Sequence, residues 1–496
     1  MRYLCFSFWL ATTSLGVCLT SPVLAGTVVE AATLEKLLSR LEKLESRNAA
    51  LEAEVKALKS ENERVNNSLN TNRISEEEPE MTARLKAVEQ ETLDMKKAVK
   101  KIEGLEGLKA TANLATVIQQ PSGLPSGTQY GGSQLNYRAD VAVELPLAPI
   151  SDTEQKLFAH FRMGQGLGLN RAFSNLGHFG NTPNALAFRA SGANPDDSVA
   201  ILGQAWYQAA IPLPFGGFKP RSRETLELTF GKMDIFGFFD QNAASSDETR
   251  QFLNSVFVHN PLLDAGREVG VDANGFQPGF IAAYVNRFTK AEPWRLSIGV
   301  FGSGSQGASY QRSLSAPLTI AQIEQQTRFF EGLPGHYRLY AWNRSEAPEL
   351  DQTVLSQHTG LGLSMDQRAG DDITLFARYG KQLKGQLTFN QAMTAGFEWR
   401  GSPWHRAADA IGFAAGSLKT SPDYKSIGGS GDLVGDGSGI FHYTPGDSER
   451  LFELYYRYRI SPQFALSPDL QWIERPGGNP EAKSIKVLGL RANLNF

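Results

Sequence analysis

The sequence predicts an all-β transmembrane barrel of about 16 antiparallel strands, preceded by an α-helical coiled coil. Two observations carry the barrel and one the coil. In the last strand, Leu488, Leu490, Ala492, Leu494 and Phe496 fall on one face, and Val487, Gly489, Arg491, Asn493 and Asn495 on the other. A strand has a side-chain period of two, so one face is greasy and the other wet. The same alternation returns many times across residues 133–496. A heptad repeat, by contrast, is confined to the N-terminal region.

Composition is compatible with a barrel in a membrane. The chain has 496 residues, a net charge of −3 and 41% hydrophobic residues. Its mean hydropathy is −0.29. Lumen residues dilute lipid-facing ones in a barrel, so a low mean hydropathy is expected. The near-neutral charge argues against a nucleic-acid partner.

Residues 1–25 read as a signal peptide: Arg2, an apolar stretch from Leu4 to Leu19, and Val23-Leu24-Ala25 before Gly26. No later stretch is long and apolar enough for a transmembrane helix, so any span must be a barrel. Both cysteines, Cys5 and Cys18, fall within the signal peptide. The mature chain is expected to hold no disulfide and no thiolate metal site.

Residues 26–110 read as a periplasmic coiled coil. Leu37, Leu44, Leu51 and Leu58 recur every seven residues, with Asn48 and Asn62 in the other seam position. Leu at one seam position with Val or Asn at the other leans towards two strands. Ser75-Glu76-Glu77-Glu78-Pro79 interrupts the pattern near 75–80 and starts a second helix. Residues 111–132 gather Pro121, Pro125, Gly123, Gly127, Gly131 and Gly132 and read as a linker.

The barrel is read over residues 133–496. Leu135, Tyr137, Ala139, Val141 and Val143 alternate with Asn136, Arg138, Asp140 and Glu144. Leu157, Ala159, Phe161 and Met163 oppose His160 and Arg162, and Phe452, Leu454, Tyr456 and Tyr458 oppose Glu453, Tyr455, Arg457 and Arg459. Phe464, Leu466, Leu470 and Trp472 oppose Asp469 and Gln471. The polar face carries Arg, Asp, Asn and Gln, and the apolar face ends in aromatics, as at a membrane interface. Allowing roughly 23 residues per strand and connection gives about 16 strands, with 14 or 18 fitting almost as well.

Several stretches resemble the OprB-type family of carbohydrate-selective porins. They run from Gly231-Lys232-Met233-Asp234-Ile235-Phe236 through Asp240-Gln241-Asn242 and Gln251-Phe252-Leu253-Asn254. Tyr337-Arg338-Leu339-Tyr340-Ala341-Trp342, Leu375-Phe376-Ala377-Arg378-Tyr379-Gly380 and Pro468-Asp469-Leu470-Gln471-Trp472-Ile473 follow in order. The resemblance implies a bacterial outer-membrane porin that lets small sugars and similar hydrophilic solutes diffuse through a polar lumen. It also favours a homotrimer, as for many general porins, against the two strands suggested by the coil. Gly489, Leu494 and Phe496 resemble the C-terminal signal read by the outer-membrane assembly machinery.

No catalytic motif stands out, and no cofactor or metal is expected. The expected pore-lining set is Arg138, Asp140, Glu144, His160, Arg162, Glu453, Tyr455, Arg457, Arg459, Asp469, Gln471 and Arg491. Asp234, Asp240, Asn242 and the segment from Asp247 to Asn254 follow a strand and break its alternation, so they are expected in a loop that folds into the lumen as a constriction. Tyr337, Tyr340 and Trp342 read as girdle aromatics at the lipid interface, with a sugar slide as the alternative. The partners expected are outer-membrane lipid and small sugars. Two other functions fit the sequence: an envelope tether joining outer membrane to cell wall, and a porin for ions or organic acids.

Overall fold

The structure, a computed structural model, describes residues 107–496 except 127, 175–180, 189–197, 215–221, 265–275, 303–314, 331, 351–353 and 428–444, together with the helical Lys56, Lys59 and Ser60. The signal peptide and the seam residues Leu37, Leu44, Asn48, Leu51, Leu58 and Asn62 lie outside the described residues. Two compact units divide the chain, Met1–Glu103 and Gly104–Phe496. The second is the barrel.

Its strands are β1 (Lys109–Ser122), β2 (Gln134–Ile150), β3 (Thr153–Gln165), β4 (Val199–Pro212), β5 (Glu224–Asp234), β6 (Phe276–Asn286), β7 (Trp294–Gly302) and β8 (Pro317–Phe329). They continue as β9 (Leu333–Pro348), β10 (Leu355–Arg368), β11 (Ile373–Lys384), β12 (Phe389–Gly401), β13 (Arg406–Thr420), β14 (Ser448–Arg459), β15 (Phe464–Glu474) and β16 (Ile485–Asn495). Each strand pairs with its neighbours in sequence, and β1 pairs antiparallel with β16 to close the barrel. Closure removes both sheet edges, as a lipid environment requires. At the seam, Phe496 exchanges backbone hydrogen bonds with Ala112, at 2.8 and 3.1 Å.

The first strand corrects the expected linker over 111–132. Residues 109–122 are β1, so the barrel begins ahead of residue 133. Its outward positions include Ala112 and Thr116 beside Leu114 and Ile118. These small residues weaken the alternation, and the Gly and Pro residues that follow dominate the local composition. Pro121, which lacks an N–H, sits at the end of the strand, where a missing ladder bond matters least.

Connections differ between the two ends. The turns at 151–152, 330–332, 369–372, 402–405 and 460–463 are tight, whereas 166–198, 235–275 and 421–447 are long. Ser151 closes the first turn in the left-handed region at φ 54°. β1 starts and β16 finishes at the tight-turn end, which faces the periplasm in barrels of this kind. Short helices α1 (Asn170–Ser174), α2 (Ser255–Val258) and α3 (Pro422–Ile427) lie in the long connections.

The outer surface is apolar and open. Leu135 and Leu488 are each more than 60% exposed in the isolated chain. A continuous surface of that kind needs lipid to cover it. Inside, the inward face of Gly362 receives the ring of Tyr340, and that of Gly412 the ring of Tyr455. A Cβ at either glycine would lie 2.2 or 2.1 Å from the ring. Both pairs are direct cross-strand partners. Flat rings over glycines thus fill the inner wall where a second side chain would collide.

Candidate functional site

The connection after β5 does not project away from the barrel. It turns back into the lumen and binds the opposite wall. Asp234 starts the turn by accepting from the Phe236 amide at 2.9 Å, and Ile235–Gly237 form one 3₁₀ turn. Asp240 then takes a left-handed conformation, φ 54°, which aims the following residues across the barrel. Asn254 caps α2 by accepting from the Val256 amide at 3.1 Å.

One arginine holds the near part of this loop. Arg378 of β11 donates from Nε to Asp240 Oδ1 at 3.1 Å. Its Nη1 donates to Phe257 O at 2.8 Å and Ser245 Oγ at 2.6 Å, and Nη2 to Ser246 Oγ at 2.8 Å. Asp240 is completed by the Tyr340 hydroxyl at 2.9 Å and the Asn260 amide at 2.7 Å. A buried ion pair tolerates desolvation only when its remaining hydrogen-bonding capacity is filled, as here.

The far part docks on β14–β16 and β2. Glu453 accepts from the Leu253 and Asn254 amides at 2.5 and 2.9 Å. Arg491 donates to Glu248 O and Gln251 O at 2.7 and 2.8 Å. Arg138 donates to Glu248 Oε1 at 2.7 Å. Burial opposes ionisation of Glu248, but the guanidinium of Arg138, with Arg162 behind it, outweighs that and holds the carboxyl below its ordinary range.

A second loop, after β3, joins the first. Asn254 donates to Asn181 Oδ1 at 2.6 Å, and the Ala185 amide to Leu253 O at 2.7 Å. Pro183 O accepts from Gln119 of β1 and Gln471 of β15 at 2.8 and 2.9 Å. The sequence reading missed this loop. The signal available was the run Asn181-Thr182-Pro183-Asn184, whose amides suit backbone docking.

On the tight-turn side of the loops the lumen stays open. Two cavities, of about 440 and 510 Å³, share Asp247, Arg250, Arg457 and Arg459 as lining residues. Arg457 pairs with Glu398 at 3.0 Å, and the Tyr455 hydroxyl donates to the same carboxylate at 2.6 Å. Asp140 collects Arg162 at 2.6 Å, Arg138 at 2.8 Å and His160 at 2.9 Å, with Phe276 packed on the Arg162 guanidinium at 4.8 Å.

The twelve strand residues expected to line the pore all occur in inward-facing networks or at the rim, but they separate into groups. Asp140, His160, Arg457 and Arg459 border open cavity. Arg162 lies on the Asp140 cluster, and Glu144 sits at the tight-turn rim between Lys109 and Lys156, at 3.2 and 3.0 Å. Arg138, Glu453, Tyr455, Asp469, Gln471 and Arg491 are buried beneath the loops. For these six the pore-lining expectation is corrected: parity gives the inner face, and the loops then cover it. Asp240 is likewise an interior anchor, and Asn242 is buried against Met365 O at 2.9 Å while its edge borders the larger cavity. Asp234 is taken up in its turn. Tyr340 and Trp342 are corrected from lipid girdle to inner wall, each 2% exposed. Their parity is that of Arg338, opposite to Tyr337, and the period of two alone separates them. Of the assembly signal, Leu494 and Phe496 face outward and Gly489 inward. Arg378 and Glu398, central to the site, were not singled out by sequence.

The family model described as carbohydrate-selective porin, OprB family, matches residues 128–496. The chain is 26% identical over 334 residues to Porin B of Pseudomonas aeruginosa, covering 60% of this chain and 67% of that protein. It is 23% identical over 339 residues to the putative porin QuiX of Acinetobacter baylyi, covering 60% and 69%. Its fold resembles the high-pH structure of Pseudomonas putida OprB with a TM-score of 0.61 at 18% identity, over 79% of this chain and 94% of that one.

Proposed function

The chain belongs to the carbohydrate-selective porin family, OprB, and from that premise we propose that small uncharged sugars pass the infolded loops by way of the two cavities. It is an outer-membrane porin, and its work is passage. The observation that carries the finer reading is the mixed lining of the cavities: Asp247, Arg250, Arg457 and Arg459 border both, joined by Asp140 in one and by Glu398 and Asp409 in the other. A sugar hydroxyl both donates and accepts. Carboxylates accept from it and guanidiniums donate to it, so a wall that carries both suits a neutral polyol. A porin for ions or organic acids would be served better by a lining of one sign.

Several weak sites suit permeation better than one tight site, because strong binding delays exit. We place the Asp140 cluster and the Arg457–Glu398 pair in that role, with the loop anchors holding the constriction. The heptad repeat of Leu37, Leu44, Leu51 and Leu58 is the sequence feature that supports a periplasmic stalk and a homo-oligomer in this reading, with the cell wall as a candidate partner. The reading is tested by swelling of liposomes containing the full mature chain or residues 104–496 in sugars of graded size. Arg457→Ala and Glu398→Gln should change the ranking among monosaccharides, while salt-gradient reversal potentials stay near zero. A strong ion preference with no sugar passage contradicts the proposal.

A further inference from the structure

Charge is distributed unevenly on the lipid-facing surface. Near the long-loop end, outward positions on successive strands are Lys381 of β11, Gln391 of β12, Lys419 of β13, Arg450 of β14, Glu474 of β15 and Lys486 of β16. Backbone register keeps this arc within two residues of one level: Lys381 opposes Gln391, Gln391 opposes Lys419, Lys419 opposes Ser448 two residues before Arg450, Arg450 opposes Glu474, and Lys486 opposes the outward Trp472 two residues before Glu474. Four cations therefore share the arc with one acid. Along the rung of Lys381 the outward residues of β10, β9 and β8 are Leu361, Ala341 and Ala321, all neutral. At the tight-turn end the outward face carries aromatics instead, including Tyr284, Trp294, Trp399 and Tyr456.

Cations on the lipid face are costly at mid-membrane and tolerated at the rim, where long side chains reach the interface. Cross-strand acids would ordinarily neutralise such a row. Here the side chains of Lys381, Lys419 and Arg450 meet no ion-pair or hydrogen-bond partner among the described residues. Glu474 does not pair with Arg450, and Lys486 lies over Trp472 at 5.1 Å. No described residue supplies the counter-charge, and the arc lies at the depth where hydrocarbon gives way to headgroups. A second copy joined through the same arc would bring more cations to it.

We propose that this arc binds phosphate-bearing headgroups of lipids in the leaflet on the long-loop side. Clustered Lys and Arg at a membrane surface attract anionic lipid in this way. The arc is independent of the lumen, so the proposal stands apart from the solute that passes.

The test is native mass spectrometry of the full mature chain in maltoside micelles, with diphosphoryl lipid A as ligand and phosphatidylcholine as control. Lys381→Gln, Lys419→Gln, Arg450→Gln and Lys486→Gln together should weaken lipid A binding at least about tenfold. Removing two cations at the tight-turn end, Lys290→Gln and Arg328→Gln, should leave it unchanged. Heat-modifiable gel migration reports folding. If the fourfold variant does not fold, the pair Lys419→Gln and Arg450→Gln should give a smaller loss, and high salt should weaken wild-type binding. Equal lipid A affinity in wild type and variant overturns the proposal. So does equal binding of phosphatidylcholine, or a change in self-association with lipid affinity unaltered.

Discussion

Asp240, in the loop after β5, and Arg378, on β11, meet through a 3.1 Å ion pair from which solvent is fully excluded. The pair joins segments 138 residues apart and fixes the loop across the lumen.

Removing one partner strands the other as a buried charge. Arg378→Met should therefore destabilise the loop by about 3–5 kcal/mol. The double variant Asp240→Asn, Arg378→Met should recover part of that loss. Hydrogen exchange of loop amides 240–260 measures it. Exchange as slow as wild type in Arg378→Met would show that the pair is not the anchor.

Glu453 accepts from two consecutive loop amides on its two carboxyl oxygens, so Glu453→Gln leaves at most one side-chain oxygen to serve them. The expected cost is about 1–3 kcal/mol. It should appear as faster proteolysis near residues 250–256, with the barrel band on a cold gel unchanged. Unchanged proteolysis would place the docking energy elsewhere.

A side chain at residue 412 has no room beneath the Tyr455 ring. Gly412→Val should force the ring away and break its bond to Glu398, costing about 1–3 kcal/mol. A lower melting temperature and altered conductance should appear together. Altered melting alone would show that the Tyr455 bond does not position Glu398 for permeation.

His259 stacks face to face on Phe236 with ring centroids 3.8 Å apart, and its Nδ1 lies 3.2 Å from Asp264 Oδ2. Burial disfavours the imidazolium, but Asp264, then Asp234 and Glu248, outweigh it and raise the pKa above its ordinary 6.5. A raised folded-state pKa makes protonation stabilising. That contribution is complete below about pH 6.5 and is lost as pH rises through the folded pKa. The melting difference between wild type and His259→Gln should thus shrink with increasing pH. A difference that grows with pH reverses the sign and rejects the assignment.

Strands whose outward positions are bulky, such as β2 and β14–β16, are legible in sequence because lipid and water impose a local period of two. β1 was lost to the weak contrast of Ala112 and Thr116 against their neighbours. Tyr340 and Trp342 were misassigned although parity alone distinguishes them from Tyr337. The covering of Arg138, Glu453 and Arg491 was not legible, because it depends on contacts between segments more than 100 residues apart. Periodicity gives the face a residue occupies; it carries no information about which loop later lies over that face.

The Arg378-anchored loop narrows the pore through which we propose that sugars pass. Liposome swelling in monosaccharide, disaccharide and trisaccharide, with wild type and with residues 241–254 deleted, tests it most directly. Wild type should pass monosaccharides fastest and fall off steeply with size, and the deletion should flatten that dependence. Identical size dependence in the two proteins, or swelling no faster than in protein-free liposomes, would contradict it.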